Sequence, residues 1–163
     1  GMVAQFLAVD YPDVVEKLIL GVSIAKPNET ITKVVSNWIE MAKAGDYKNL
    51  IIDTMEKTFT EKELKKYRAF YPVISRVGKP DNFERFLIQA NACLNHNAYE
   101  ELIKIKCPTL ILGGDSDQVV GGNSSQEIAK KIPDNKLLIY EGLGHGAFQE
   151  DKDFNRQIIR FLK

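Results

Sequence analysis

The chain has 163 residues, 44% of them hydrophobic, and its 22 Lys plus Arg are matched by 22 Asp plus Glu. This length supports one core, or a small sheet layer with a helical layer on it, and the balanced charge leaves no net field that would draw nucleic acid or an anionic membrane. Its apolar runs are strand-sized, so neither a membrane span nor a charged-then-apolar leader is expected, and its two cysteines, Cys93 and Cys107, read as reduced cytoplasmic thiols rather than a disulfide framework.

In chain order, residues 2–10 read as a helix with Met2, Phe6 and Val9 on one face, closed by Tyr11-Pro12 and without a cap in front. A strand follows within Glu16 to Ser23. Its end, Gly21-Val22-Ser23-Ile24-Ala25, places small residues two before and two after a serine, so Ser23 is a candidate nucleophile. Lys26-Pro27-Asn28 then keeps a helix from starting directly after it, which a strained strand-to-helix turn around a nucleophile requires.

From Asn28 to about Lys104 the pattern is helical. Thr30 to Ala44 carries Ile31, Val34, Val35, Trp38, Ile39 and Ala42 at helical spacing; Tyr47 to Lys57 repeats the theme; Thr60-Glu61-Lys62-Glu63 reads as a capping box; and Asp81 reads as the cap of a further helix bearing Phe83, Phe86, Leu87, Ala90 and Leu94. Lys62-Glu63-Leu64-Lys65-Lys66 is a solvated helix face. Cys93-x-x-His96 has metal-like spacing but no second pair to complete four ligands, so no metal and no cofactor is expected.

Pro108 to Leu112 is a continuously apolar, β-branched run of the kind covered on both faces in a parallel sheet, and it ends in Gly113-Gly114-Asp115-Ser116-Asp117. A helical run from Ser124 to about Ile132 leads to the strand Lys136 to Tyr140, which ends in Gly142-Leu143-Gly144-His145-Gly146. If the two strands lie side by side and parallel, both turns reach the same carboxyl edge, and an aspartate and a histidine become neighbours there. The closing segment, Phe154 to Leu162, puts Phe154, Ile158, Ile159 and Leu162 on a stripe for one face of the sheet.

The pair of turns resembles the last two catalytic elements of the α/β-hydrolase family, whose chain order is nucleophile, acid, histidine. Gly114-Asp115-Ser116-Asp117-Gln118-Val119-Val120 fits the family's acid turn, with Gly121-Gly122 where a proline is often found. The resemblance implies Asp117 as the acid, with Asp115 as the alternative, and His145 as the base that takes a serine proton. Gly1 to Val15 is similar to the family's segment just after the Gly-x-Ser-x-Gly elbow, which is then not in these residues; Gly1 is either the elbow's trailing glycine or a residue left by expression. The implied fold is α/β: the C-terminal part of an α/β-hydrolase, about three parallel strands flanked by helices (residues 1–26 and 105–163), with an inserted all-helical cap over 27–104. The cap would shape an acyl pocket, for which Trp38, Met41, Phe59, Phe70 and Phe86 are the candidate lining residues, although aromatic residues at helical spacing mostly pack into cores.

The implied activity is hydrolysis of an ester, lactone or related acyl bond of a small molecule, in a chain that is truncated before Met2 and inactive alone. The alternative is a non-catalytic module for dimerisation or small-molecule binding. An internal strand left at a sheet edge templates association, so a homodimer across the Leu18-to-Gly21 strand is expected.

Overall fold

The computed structural model describes residues 1–163. Three short strands, β1 (Leu18–Gly21), β2 (Thr109–Gly114) and β3 (Asn135–Tyr140), form one parallel sheet in the order β1-β2-β3. Leu18 pairs with Thr109, which pairs with Asn135, and the register runs on to Gly114 beside Tyr140. The strands are apolar because both faces are covered. One face meets α1 (Met2–Asp10) and α7 (Ser124–Ala129) through Ala8, Leu18, Leu20, Ile111 and Ile128; the other meets α9 (Lys152–Leu162) through Leu110, Leu112 and Phe154. Every residue of β2 is buried, as befits the central strand.

Between β1 and β2 lie five α-helices and no strand: α2 (Glu29–Lys43), α3 (Tyr47–Thr58), α4 (Glu61–Tyr67), α5 (Tyr71–Ile74) and α6 (Glu84–Asn95). The apolar faces of α2 and α6 close on each other through Ile31, Val35, Ile39 and Ala90, with Trp38, Phe86, Leu87 and Leu94 packed around them. Ile24, Val119 and Val120 join the same cluster from the sheet side, so the insertion is seated on the loops at the carboxyl edge of the strands. Asn28 starts α2 by accepting the Ile31 N–H at 3.0 Å, and its amide reaches back to the Val120 carbonyl at 2.7 Å.

Four local expectations are corrected. In α1 the fully buried residues are Gln5 and Ala8, while Phe6 is exposed; alanine lets the helix approach β1 closely, and Gln5 is tolerated because its amide is hydrogen-bonded on both sides. Thr60 makes no capping box, because its hydroxyl and its N–H both go to Glu150. Asp81 does not cap α6; Asn82 Oδ1 accepts the Glu84 N–H at 3.0 Å instead. On α9 the seam is Phe154, Ile158 and Phe161, spaced i, i+4, i+7, and Ile159 and Leu162 face solvent.

Leu18 and Val22 donate their N–H groups to the Pro108 and Leu112 carbonyls of the β2 segment, at 3.0 and 2.8 Å. By the two-residue period of a strand, the polar backbone groups of Ile19 and Gly21 point away from β2, along the open side of the sheet. Val22 then leaves the strand with φ +42°, a left-handed conformation that is strained for a β-branched residue.

Candidate active site

The turns after β2 and β3 interlock before any side chain is considered. Ser116 N–H donates to the Leu143 carbonyl at 3.0 Å, and Asp115 N–H to the Tyr140 carbonyl at 3.3 Å. Gly114 must be glycine because a Cβ there would lie 2.6 Å from the Leu143 carbonyl carbon. Asp115 Oδ1 accepts the Gly142 N–H at 2.8 Å and the Ser116 hydroxyl at 2.9 Å, so this carboxylate ties one turn to the other and makes no bond to the histidine. Asp115, the alternative acid, is thus not the carboxylate that contacts His145.

Asp117 is the carboxylate that meets His145. Its Oδ2 lies 2.9 Å from His145 Nδ1, while Oδ1 accepts the N–H groups of Val119 and Val120 at 2.8 and 2.9 Å. The two valines that complete the sequence pattern hold the acid in place, since their side chains are anchored in the cluster under the insertion and their N–H groups aim at one oxygen. With a carboxylate beside it as acceptor, Nδ1 carries the ring proton, which leaves Nε2 as a lone pair. Nε2 has no hydrogen-bond partner in the chain. The aspartate side chain is 2% exposed and the histidine 27%, so the carboxylate is shielded from water while the imidazole is partly exposed.

Ser23 does not join the pair. It is buried, its hydroxyl accepts a 3.5 Å bond from Gln5 Nε2, and a Cβ on Gly1 would lie 2.8 Å from Ser23 Cβ. The N-terminus of the chain is therefore packed directly against Ser23. Gln5 also donates to the Ile24 carbonyl at 2.8 Å and accepts from His96 Nε2 at 3.1 Å. His96 is thus a buried partner of a glutamine, and burial pushes its pKa below the ordinary 6.5. Cys93 sits half-buried, and burial raises its thiol pKa.

Of the five proposed lining residues, only Phe59 borders a cavity beside the histidine turn. That cavity has a volume of about 430 Å³ and is lined by Phe59, Leu64, Ser116, Gln118, Gly142 and Gly144 together with charged residues of α3 and α4. Trp38 and Phe86 pack into the insertion's own cluster, and Trp38 Nε1 donates to Asp53 at 2.7 Å. Met41 is half-buried on α2 and Phe70 is exposed. The charged rim is held by Arg68, which pairs with Glu56 and Glu61; the guanidinium hydrogen bonds bring the Glu56 pKa down to about 2.

A feature the sequence did not reveal is the second attachment of the histidine turn. Gly146 N–H donates to the Thr58 carbonyl at 2.7 Å, and Glu150, on α8 (Ala147–Glu150), accepts the Thr60 N–H at 3.0 Å and the Thr60 hydroxyl. No local signal marks these residues, because the partners are about ninety positions apart. Gln5 did have a signal: it is a lone amide within an otherwise apolar helix.

A three-stranded parallel sheet with an acid and a histidine on adjacent strand ends, and helices inserted between its first two strands, is the C-terminal part of an α/β-hydrolase. The chain belongs to that family: the family model described as serine aminopeptidase, S33, matches residues 1–152. It is similar over 99% of its length, at 25% identity, to a 2-hydroxy-6-oxononadienedioate/2-hydroxy-6-oxononatrienedioate hydrolase of a Pseudomonas species, of which it covers 59%. A shorter match, 40% identical over 67 residues, links 39% of the chain to 24% of the non-heme chloroperoxidase CPO-A1 of Kitasatospora aureofaciens. Among solved structures, the enol-lactonase of Burkholderia xenovorans LB400 superposes with a TM-score of 0.84 at 18% identity, over 99% of this chain and 62% of that one. The α/β-hydrolase MGS-M2 from a Medee basin deep-sea metagenome library gives the same TM-score at 19% identity, over 99% and 61%. The chain thus spans about three-fifths of the length of the relatives it matches end to end. No helix in it is long and apolar enough to cross a membrane.

Proposed function

We propose that this chain carries the base and the acid of a serine hydrolase acting on an ester, lactone or related acyl bond, and that it is inactive without the remaining part of the fold. The observation that carries the reading is the Asp117–His145 pair, with Nδ1 held by a buried carboxylate, Nε2 without a partner and the imidazole partly exposed. In the reaction, His145 Nε2 takes the proton of a serine hydroxyl as that oxygen attacks the acyl carbon, then returns it to the leaving oxygen; Asp117 keeps the ring in the productive tautomer and stabilises the imidazolium between the two steps. The serine comes from a Gly-x-Ser-x-Gly elbow supplied by the two-fifths of the fold that the relatives have and these residues lack, and α2 to α6 serve as the cap over the acyl group. The similarity to an enol-lactonase and to a hydrolase of a dienedioate supports acyl or related carbonyl substrates.

The test is a p-nitrophenyl ester panel with fluorophosphonate labelling, applied to the 163-residue chain and to the protein encoded when the reading frame is followed upstream of Met2. The longer protein should be labelled on a serine that is not Ser23, and His145→Ala should lower its turnover on the order of 10⁴-fold. Turnover by the 163-residue chain that is lost in Ser23→Ala would overturn the assignment and make Ser23 the nucleophile.

A second reading, a non-catalytic module that pairs with another copy of itself, is favoured by the open side of β1 and by the exposed Val3, Leu7, Tyr11 and Val14 on and just after α1. Two β1 strands related by a two-fold axis would each satisfy the other's outward backbone groups. A monodisperse monomer in light scattering at micromolar concentration would remove this reading.

A further inference from the structure

The geometry points to Glu150 as a positioning residue for His145, acting as a latch through which the helical insertion sets how firmly the histidine turn is held against Asp117. This rests on His145 being the base. The segment Thr58-Phe59-Thr60, which joins α3 to α4, crosses directly over the turn. Its Thr58 carbonyl accepts the N–H of Gly146, the residue next to His145, at 2.7 Å. Glu150, one helical turn further on, takes both the Thr60 N–H, at 3.0 Å, and the Thr60 hydroxyl. Between these two attachments the Phe59 ring lies so close that a Cβ on Gly146 would come within 2.8 Å of Phe59 Cδ1, so the segment and the turn are in direct contact only because position 146 is glycine. Glu150 follows Gly146 by four positions, and α8 connects them as a single short helix with Glu150 N–H bonded to the Gly146 carbonyl. The carboxylate end of α8 and its histidine end are therefore fastened to the same three residues of the insertion.

The other attachments of the turn, Ser116 N–H to Leu143 and Asp115 to Gly142, come from the sheet side and are independent of the insertion. The latch is thus the most direct route by which a displacement of α3 and α4 reaches His145, since the anchoring of Asp117 through Val119 and Val120 runs instead into the cluster of α2 and α6. Arg68 couples those two helices to each other, through Glu56 on α3 and Glu61 on α4, and so belongs to the same mechanical unit while touching neither Glu150 nor the histidine turn. A ligand that shifts this joint when it enters the neighbouring cavity would tighten or loosen the base without contacting it.

The experiment follows the hydrogen-bonded Nδ1 proton of His145 by NMR in the 163-residue chain and measures its exchange with water, a signature that does not require turnover. Glu150→Ala should speed that exchange about tenfold or more, since a charge-assisted pair of bonds is lost. Glu150→Gln, whose amide oxygen still accepts one Thr60 bond, should restore most of the protection. Thr60→Val, which removes the hydroxyl and keeps the N–H bond, provides the milder break if the alanine variant does not fold, and should give a smaller acceleration in the same direction. Arg68→Ala should also speed exchange, by less than Glu150→Ala. Unchanged His145 exchange in Glu150→Ala or Thr60→Val, with only the melting temperature lowered, would reduce Glu150 to a structural contact and overturn the proposal; unchanged exchange in Arg68→Ala alone would overturn the transmission from the insertion. Absence of ester turnover in the longer protein bears on the hydrolase reading and leaves these measurements intact.

Discussion

The two sides of the sheet are finished to different degrees. At the carboxyl ends of β2 and β3 the acid and histidine turns are tied to each other: the carboxylates of Asp115 and Asp117 are bonded, the facing N–H groups of Gly142, Val119 and Val120 are taken, and His145 Nε2 has no partner within the chain. On the β1 side the reverse holds. The backbone of Ile19 and Gly21 points along an unpaired edge, and Val3 and Leu7 of α1 with Tyr11 just after it form a second apolar stripe that is largely exposed. An unpartnered ring nitrogen beside a bonded carboxylate is free to take a proton from a ligand, whereas an unpaired strand edge with exposed apolar side chains beside it is a surface that favours association.

The contrast between the two sides breaks most visibly at Asp117. Asp117→Ala leaves the N–H groups of two buried valines and the Nδ1 proton of His145 without acceptors, and each unmet group costs about 1–3 kcal/mol. A loss of about 3 kcal/mol or more in denaturant unfolding is expected. Asp117→Asn sharpens the point: the amide oxygen can still accept from Val119 and Val120, but its NH₂ now faces Nδ1, so the ring should move its proton to Nε2. ¹⁵N chemical shifts of the imidazole would report the exchanged tautomer; an unchanged Nδ1–H form would show that something other than the carboxylate orients the ring.

The two sides also differed in how far they could be read from the sequence. The acid and histidine turns were legible because each follows a continuously apolar strand and each is punctuated by glycines that two interlocking turns require, Gly114 among them. The acid-turn motif preferred Asp117 over Asp115, and in the structure Asp117 is the carboxylate beside His145 while Asp115 is bonded to Gly142. The helices were legible by period, but what caps and buries them was not. Thr60 was read as a cap because a threonine followed by a glutamate three residues later usually closes on itself locally; here Glu150, distant in sequence, takes both donors. Likewise α1 has apolar residues nearly all round, so periodicity could not decide between Phe6 and Ala8 as the inward side. The five aromatic and methionine positions scattered for the same reason: an aromatic at helical spacing states that it packs, not against what.

A smaller effect is expected at His96, which belongs to the interior behind β1. Burial lowers its pKa, so the folded chain resists protonating it while the unfolded chain does not. The unfolded state then binds the extra proton first as pH falls below about 6.5, and stability declines in that window. Thermal midpoints between pH 7 and 5 should fall less steeply in His96→Gln than in the parent. The Glu56 carboxylate acts in a lower window: its pKa of about 2 makes a contribution that is present above 4.5 and is lost as pH falls towards 2.

The smallest effect on stability, and the most informative about the β1 side, is expected from Leu7→Lys. Leu7 is 47% exposed and lies in the middle of the unpartnered stripe of α1, where lysine is as good a helix former as leucine. Since the side chain belongs to none of the three buried clusters, the folding stability of the monomer should change by no more than about 0.5 kcal/mol. Association is another matter, because a charge placed in an apolar contact has to be desolvated without a partner. If the face is covered by a second copy, Leu7→Lys should move the light-scattering mass from dimer to monomer at micromolar concentration. If it is covered by further strands of the same fold, the 163-residue chain should change little, whereas the longer protein, in which position 7 is then interior, should be destabilised by several-fold more than the short chain. An equal and negligible effect in both proteins, with no change of mass in either, would mean that the stripe is ordinary surface and that the sheet ends at β1.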